Sequence, residues 1–380
     1  MINSIEIKNF KNLSELTLNS IEQINLISGK NNTGKSSLLE AIGLQVSQGS
    51  LSFLEQILTF RGENYRSRPT EDRNIIQDNY FKSFSTLFTN RVVGFEKKDS
   101  LSIKTNITSR TKDLFNGINQ NNLLLIRIAK YFDVMSEDSE TLGRFRERII
   151  AENKSDIDKL PNDLRIGLII DLNNKSNLIP FNGGLRIQNI GDINAFQLIR
   201  ANDLYRELNG KLWDSIALTV KEQYIIDALK IIEPNVERIT FVAENTITRS
   251  PVMKLKNYDI IQPLRSMGDG INRILTIILA MVNVENGYLL IDEFENGLHY
   301  TTQEKLWEII FYLAEKLNVQ VFATTHSRDC IEGFENVLND TQNKITGKMI
   351  LLSNRKGKIS PVEFDKDELK IATEQDIEVR

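Results

Sequence analysis

Hydrophobic and polar residues alternate at the start of the chain, and the pattern then changes to a helical spacing. Residues 2–10 alternate around Ile5 and Ile7, and this period of two predicts a half-buried β-strand. Residues 24–27 predict a second, more buried strand. A helix is then predicted from apolar residues spaced along one face, which are Leu38, Ala41, Ile42 and Val46.

The last third of the chain repeats this change of pattern. Residues 288–291 and 319–323 predict two short buried strands, and a helix is predicted between them from the spacing of Leu306, Ile309, Ile310, Leu313 and Leu317. A β-α-β unit places its two strands side by side and parallel. We therefore expect the strand ends at Asp292 and Thr324 to meet at one edge of a sheet.

Other segments complete the predicted organisation. Residues 121–160 predict a compact helical insertion, 166–172 and 184–187 predict strands, 201–236 predict helices with Trp213 as a core anchor, and 349–364 predict a hairpin. We expect an α/β fold in which residues 1–48 and 191–380 build one head. Residues 49–190 are expected to form an inserted, mainly helical lobe, without the heptads of a coiled coil.

Composition narrows the class of protein. The chain has 380 residues, of which 41% are hydrophobic and 26% charged, as in an ordinary globular protein. Its single cysteine, Cys330, predicts no internal disulfide. The first residues lack the pattern of a signal peptide, and no apolar run reaches the roughly 20 residues of a spanning helix. These features predict a cytoplasmic protein that does not insert into a membrane.

A glycine-rich loop follows the second predicted strand and precedes the predicted helix. Its sequence matches the phosphate-binding P-loop, and the candidate nucleotide ligands are Gly29, Asn31, Asn32, Thr33, Gly34, Lys35, Ser36 and Ser37. Glycines let backbone N–H groups surround a phosphate at the start of a helix. We expect Lys35 to neutralise the β- and γ-phosphates of ATP, Ser36 to hold Mg²⁺, and Ser37 to contact the α-phosphate.

Three side chains at the predicted sheet edge add hydrolytic chemistry. Asp292 is placed to bind near Mg²⁺, and Glu293 is placed to polarise an attacking water. His326, two residues beyond Thr324, is a candidate γ-phosphate sensor. The candidate catalytic residues are therefore Lys35, Glu293 and His326. A solvated turn for the acids and a structural role for the histidine are the alternatives.

A loop of small residues, 266–270, precedes another predicted helix. It is either a second anion-binding loop or an ordinary helix start, in which Asp269 caps the helix and Gly268 and Gly270 turn the chain. Spacing alone leaves both possibilities open.

Four segments, taken in order, resemble a known family. Residues 29–37, 266–270, 289–299 and 324–327 are similar to the ABC-type P-loop ATPases of chromosome maintenance and recombination. More closely, they resemble stand-alone ATPases of the overcoming-lysogenization-defect (OLD) and RecF-like group.

The resemblance implies a dimer that completes its active sites between two copies. The loop that contains Ser266, Gly268 and Gly270 would be the signature loop, which contacts the γ-phosphate held by the other subunit. His299 would lie near the dimer interface, and Gln197 is the candidate Q-loop residue.

Two classes of biological role are candidates for this ATPase. OLD nucleases carry a Toprim nuclease domain after the ATPase, whereas about fifty residues follow His326 here, fewer than such a domain needs. The Asp365 and Asp367 pair alone does not predict a nuclease. We expect an ATP-gated sensor or scaffold for a separate effector, such as a nuclease or toxin in phage defence. The alternative is a DNA-binding ATPase of the recombination and repair type.

The uneven distribution of charge along the chain supports the DNA-binding alternative. Residues 61–130 contain thirteen Lys or Arg and seven Asp or Glu, although the whole chain has a net charge of −4. A basic cluster at Arg61, Arg66, Arg68 and Arg73 lies beside Tyr65, so this segment is a candidate DNA-binding region. A solvated face, or a surface for an acidic partner, explains the same excess.

Overall fold

Two large β-sheets, a smaller sheet of three strands (β10-β11-β12 in the numbering below) and the helices around them form the described part of the protein. The computed structural model describes residues 1–65, 72–108, 119–137, 144–152, 164–183, 194–201, 205–243, 249–256, 260–268, 270–340 and 344–375. The strands are β1 (Ile2–Phe10), β2 (Leu13–Leu18), β3 (Ile24–Ser28), β4 (Leu101–Thr108), β5 (Asn119–Glu137), β6 (Arg144–Ile150), β7 (Arg165–Leu172), β8 (Lys175–Pro180), β9 (Phe196–Ile199), β10 (Val236–Ala243), β11 (Arg249–Leu255), β12 (Gln262–Pro263), β13 (Tyr288–Ile291), β14 (Gln320–Thr324), β15 (Gly347–Arg355) and β16 (Lys358–Phe364). The helices are α1 (Lys35–Val46), α2 (Leu51–Phe60), α3 (Arg73–Ser85), α4 (Tyr205–Asp214), α5 (Glu222–Lys230), α6 (Gly270–Asn283), α7 (Tyr300–Leu317), α8 (Arg328–Asn339) and α9 (Lys366–Glu374).

The central sheet joins distant parts of the chain in the order β16-β15-β3-β14-β13-β9. All of its neighbouring pairs are parallel except the β15–β16 hairpin. Because β13 and β14 are parallel neighbours, with Ile291 opposite Ala323, the expected meeting of their carboxyl ends is confirmed. The β15–β16 hairpin confirms the prediction for 349–364.

The central strands are apolar because both of their faces are covered. In β13, Leu289 and Ile291 belong to a core cluster that also contains residues of α6, α7 and α8. Leu290 belongs to a second cluster, which contains residues of α1, α2 and the other large sheet. Parallel strands buried in this way are continuously hydrophobic, which explains why four to five residues sufficed to predict them.

The second large sheet is antiparallel and has the order β2-β1-β4-β5-β7-β8, with β6 paired to β5. In β1, Ile5 and Ile7 are buried and Lys8 is exposed, as the alternation predicts. The strands from the middle of the chain thus extend the sheet that the first residues begin.

The prediction of a helical insertion at 121–160 is wrong for residues 121–137 and 144–150, and the described part of 49–190 contains more strand than helix, so the predicted lobe is not mainly helical. Residues 119–137 and 144–150 form β5 and β6. A short apolar run does not distinguish a helix from a buried strand, and here pairing of β5 with β4 and β7 decides the outcome. Residues 153–163 and the strand predicted at 184–187 lie outside the described residues.

The other predicted elements are confirmed. β7 covers the strand predicted at 166–172, and α4 and α5 lie within the helical segment 201–236. Trp213 is buried in the core. None of the helices in the described ranges has the length and apolar character needed to cross a membrane.

Candidate nucleotide-binding site

The loop between β3 and α1 has the backbone conformation of a phosphate cradle. Gly29 and Gly34 have φ values of +143° and +93°, and Asn32 has a φ of +64°. A Cβ atom at Gly29 would lie 2.4 Å from the carbonyl oxygen of Leu352, so a side chain there requires the backbone to move. Because the first N–H groups of a helix have no partner within the helix, this loop conformation at the start of α1 suits the binding of an anion.

Lys35 lies in the first turn of α1 and folds back over the loop. Its Nζ donates hydrogen bonds to the carbonyl oxygens of Gly29, at 2.5 Å, and Lys30, at 3.1 Å. Burial lowers the pKa of Lys35, and the carboxylates of Asp292, Glu295 and Glu293 oppose this shift. A partly buried cation among carboxylates is well placed to receive phosphate oxygens.

Ser36 connects the loop to the acidic strand end. Its Oγ donates a hydrogen bond to Oδ1 of Asp292 at 3.1 Å, and Thr324 Oγ1 donates to the same oxygen at 2.7 Å. A hydroxyl and a carboxylate that meet beside a phosphate cradle form the oxygen donor set that Mg²⁺ prefers. These residues therefore fit a magnesium ion.

Glu293 follows Asp292 in a left-handed backbone conformation, with a φ of +51°. Its N–H donates to Thr324 Oγ1 at 2.9 Å. The buried guanidinium of Arg273, on α6, donates to the carbonyl oxygens of Asp292, at 3.1 Å, and Glu293, at 2.5 Å. Sequence reasoning did not assign a role to Arg273, because its partners are backbone atoms 19 and 20 residues away.

His326 lies after β14 with a half-exposed ring. Its Nδ1 lies 2.9 Å from Oε1 of Glu295, which is largely buried. The structure thus brings His326 to the same edge of the sheet as Asp292 and Glu293, as the sequence predicts.

These groups surround one cleft with a volume of about 480 Å³. Its lining residues are Asn12, Asn31, Asn32, Thr33, Gly34, Lys35, Ser36, Ser37, Arg61, Asp292, Glu293, Thr324, Thr325 and His326. Arg61 was predicted as part of a basic cluster, but Glu40 accepts hydrogen bonds from its Nε and from a terminal nitrogen, at 2.9 and 3.0 Å. Lys11 contacts the same carboxylate. Arg61 is therefore held by Glu40 in the wall of the cleft.

The predicted signature loop lies outside this cleft. Ser266 and Gly268 are exposed, and Gly268 has a φ of +104°. Gly270 begins α6, where a Cβ atom would lie 3.0 Å from the carbonyl oxygen of Gly297. His299 is the N-cap of α7, and Asp269 lies outside the described residues.

Gln197, the candidate Q-loop residue, lies inside β9 opposite Leu289 and is not among the residues that line the cleft. Arg200 follows β9 instead and stacks on the Phe60 ring, with 4.4 Å between the guanidinium carbon and the ring centre. Arg200 lines an adjoining cavity with Asp292 and Glu293.

Near the C-terminus, Asp365 and Asp367 have a structural explanation. The Asp365 side chain accepts hydrogen bonds from the N–H groups of Asp367 and Glu368 and caps α9. Within the described ranges, no group of three or more His, Cys, Asp or Glu side chains is arranged to hold a metal ion.

The fold and the cleft together define an ABC-type P-loop ATPase head. The crystal structure of an SMC head bound to the C-winged helix domain of ScpA superposes with a TM-score of 0.53 and 12% identity, over 97% of this chain and 99% of that one. This similarity confirms the predicted α/β fold of the ABC type.

The chain belongs to the AAA ATPase domain family, whose sequence profile matches residues 1–331. A Helicobacter pylori protein named ATP/GTP phosphatase is 28% identical over 357 residues, which cover 90% of this chain and 89% of that protein. The DNA replication and repair protein RecF of Teredinibacter turnerae is 26% identical over 154 residues, 40% of this chain and 37% of RecF. The chain is therefore an ATPase.

Proposed function

We propose that the protein hydrolyses Mg-ATP in this cleft and that two copies enclose each nucleotide. Two groups of residues that are expected to form one active site lie apart within a single copy, and this separation carries the proposal. The P-loop converges with Asp292 and Glu293, whereas Ser266 and Gly268 face solvent outside the cleft. Loop 266–270 would then contact the γ-phosphate held by a second copy.

Within one copy, each side chain has a proposed role. The P-loop amides and Lys35 would bind the phosphates. Ser36 and Asp292 would hold Mg²⁺, which neutralises phosphate charge when it is bound. Glu293 would accept a proton from the attacking water, and His326 would contact the γ-phosphate.

For the biological role, we propose an ATP-gated sensor or scaffold that controls a separate effector, such as a nuclease or toxin, in antiviral defence. The resemblance of segments 29–37, 266–270, 289–299 and 324–327, taken in order, to OLD-family ATPases supports this proposal. ATP-dependent closure of two heads would provide the switch, because ligand binding at the interface favours the closed state.

A DNA-binding ATPase is the second candidate, favoured by the similarity to RecF. Among the described residues, the charge of segment 61–130 supports it less than the sequence suggested, and Arg66 and Arg68 lie outside those residues. Arg61 binds Glu40, Arg91 binds Glu63 and Lys98 binds Glu96, so these cations are already partly neutralised. Salt-sensitive binding of duplex DNA that stimulates hydrolysis would favour this candidate, whereas stable co-purification with an effector favours the first.

Two substitutions test the proposed chemistry. We expect Glu293→Gln to bind ATP with hydrolysis reduced by roughly 100-fold or more, because the amide cannot accept the water proton. We expect Lys35→Ala to lose nucleotide binding. Hydrolysis by the native protein should stop when Mg²⁺ is chelated and recover when it is restored. Equilibrium nucleotide binding and steady-state phosphate release measure these effects, and parental hydrolysis by Glu293→Gln would refute the assignment of the base.

A further inference from the structure

The Glu295 carboxylate contacts His326 and its neighbour Thr325. Its Oε1 accepts hydrogen bonds from the His326 backbone N–H and lies beside the ring Nδ1, both at 2.9 Å. Its Oε2 accepts from Thr325 Oγ1 at 2.8 Å. Three groups of two consecutive residues therefore converge on one carboxylate.

From this arrangement we infer that Glu295 is a positioning residue for hydrolysis, because it fixes the imidazole of His326 with Nε2 available to the cleft. The inference rests on the proposed function of the cleft. It assigns to Glu295 a role that acts through His326 and requires no contact between Glu295 and the nucleotide.

Hydrogen-bond chemistry supports the proposed orientation of the His326 ring. A carboxylate oxygen accepts hydrogen bonds but does not donate them, so the ring nitrogen beside it must carry the proton. Nδ1 is therefore the donor to Glu295, and Nε2 is the nitrogen left for the substrate side. This logic, in which a partner of one ring nitrogen sets the role of the other, is general for functional histidines.

Burial explains why a carboxylate is effective here. The Glu295 side chain is 11% exposed, whereas the His326 side chain is 55% exposed. The anchor is thus shielded from water while the group that it orients remains accessible. An exposed ring without such an anchor would sample several rotamers, at a cost in conformational entropy when it binds.

A double-mutant cycle separates action through His326 from other effects. We expect Glu295→Ala to lower kcat by about 10- to 100-fold, by analogy with the loss caused when the hydrogen-bond partners of metal-binding histidines are removed. In a His326→Ala background, the same change should alter kcat by less than about threefold. Glu332→Ala, which removes a surface carboxylate paired with Arg328 on α8, is the matched control and should keep the native rate.

The conservative variant Glu295→Gln distinguishes the orientation of the His326 ring from the effect of the Glu295 charge. Glu295 also acts electrostatically on Lys35, and this effect should appear in KM for ATP. Glu295→Gln keeps an oxygen acceptor for Nδ1 but removes the charge. We therefore expect Glu295→Gln to recover most of the kcat that Glu295→Ala loses, even where KM changes in both.

The ring can also be observed directly, because the chain has two histidines. In nitrogen-15 NMR spectra, the His326 signals of the native protein should show a protonated, hydrogen-bonded Nδ1. In Glu295→Ala they should shift toward those of a free imidazole, while the His299 signals stay unchanged.

Three results would overturn the inference: native kcat in Glu295→Ala, native kcat in His326→Ala, or equal effects of Glu295→Ala with and without His326. Failure of the proposed function is a separate result, since it requires Glu293→Gln or Lys35→Ala to hydrolyse ATP at the parental rate.

Discussion

Glu293 shows how neighbours can impose an unfavourable backbone conformation on a single residue. A left-handed φ costs a residue with a side chain about 1–2 kcal/mol, and Glu293 adopts a φ of +51°. Hydrogen bonds from Arg273 to two carbonyl oxygens, and from the Glu293 N–H to Thr324, offset this cost. Two separate elements, α6 and β14, therefore determine where the proposed base lies.

We predict that Arg273→Met lowers both hydrolysis and stability. Loss of two hydrogen bonds from a buried charged donor should reduce the free energy of unfolding by roughly 2–4 kcal/mol. It should also lower kcat by about tenfold or more, because the turn at Glu293 is released. Urea unfolding and steady-state hydrolysis measure the two effects.

The control for this substitution is Lys254→Met, which removes an exposed cation paired with Glu237. Such surface pairs contribute about 0–1 kcal/mol. Equal behaviour of the Arg273 and Lys254 variants would contradict the role assigned to Arg273.

Residue-level chemistry could be predicted where it is local in the sequence. The P-loop is predictable because one strand end, one turn and one helix start provide all of its groups. The roles of Arg273 and Glu295 were missed, and Arg61 was assigned to a basic cluster, because each of these residues is defined by a partner that the sequence does not place beside it. The fold alone brings Arg61 to Glu40, for example.

At the scale of elements, Gln320 links the two large sheets. It lies at the start of β14, where its Oε1 accepts from Ile2 N–H and its Nε2 donates to the carbonyl oxygens of Ile2 and Glu22, all at 2.8 Å. Its side chain is buried. One amide thus connects β1 of the antiparallel sheet to the central sheet.

We predict that Gln320→Ala lowers the free energy of unfolding by roughly 2–4 kcal/mol. The reason is that backbone groups of Ile2 would lose their partners in a buried environment, at about 1–3 kcal/mol for each group left unsatisfied. Gln223→Ala, on the exposed surface of α5, should change stability by less than about 0.5 kcal/mol. Similar urea midpoints for the two variants would exclude the proposed link.

Helices and strands could be predicted from the sequence where burial and the flanking turns allow one interpretation of an apolar run. β3, β13 and β14 are buried on both faces and follow or precede clear turns, so apolar runs identified them. β5 was mistaken for a helix because the apolar run that contains Leu124, Ile126 and Ile128 fits either element, and pairing with β4 and β7 decides for a strand. Such pairing depends on strands far away in the sequence.

At the scale of the whole molecule, the chain brings its two ends together into one ATPase head. β3 from the first 28 residues lies between β14 and β15 from the last third, as the predicted head requires. The division at residues 48 and 190 stays a prediction. β1 and β2 come from the first 48 residues, yet they share a sheet with β4 to β8, which lie between residues 49 and 190. The loop 266–270 remains the part of the head whose proposed role needs a second copy.

The central claim, that ATP is enclosed between two copies, is tested most directly by the mass of Glu293→Gln in solution with and without Mg-ATP. We predict a step from monomer to dimer when Mg-ATP is added, because hydrolysis is blocked and the closed state persists. Lys35→Ala should show no step. A mass of Glu293→Gln that does not change with saturating Mg-ATP, while nucleotide binding is intact, would contradict the claim.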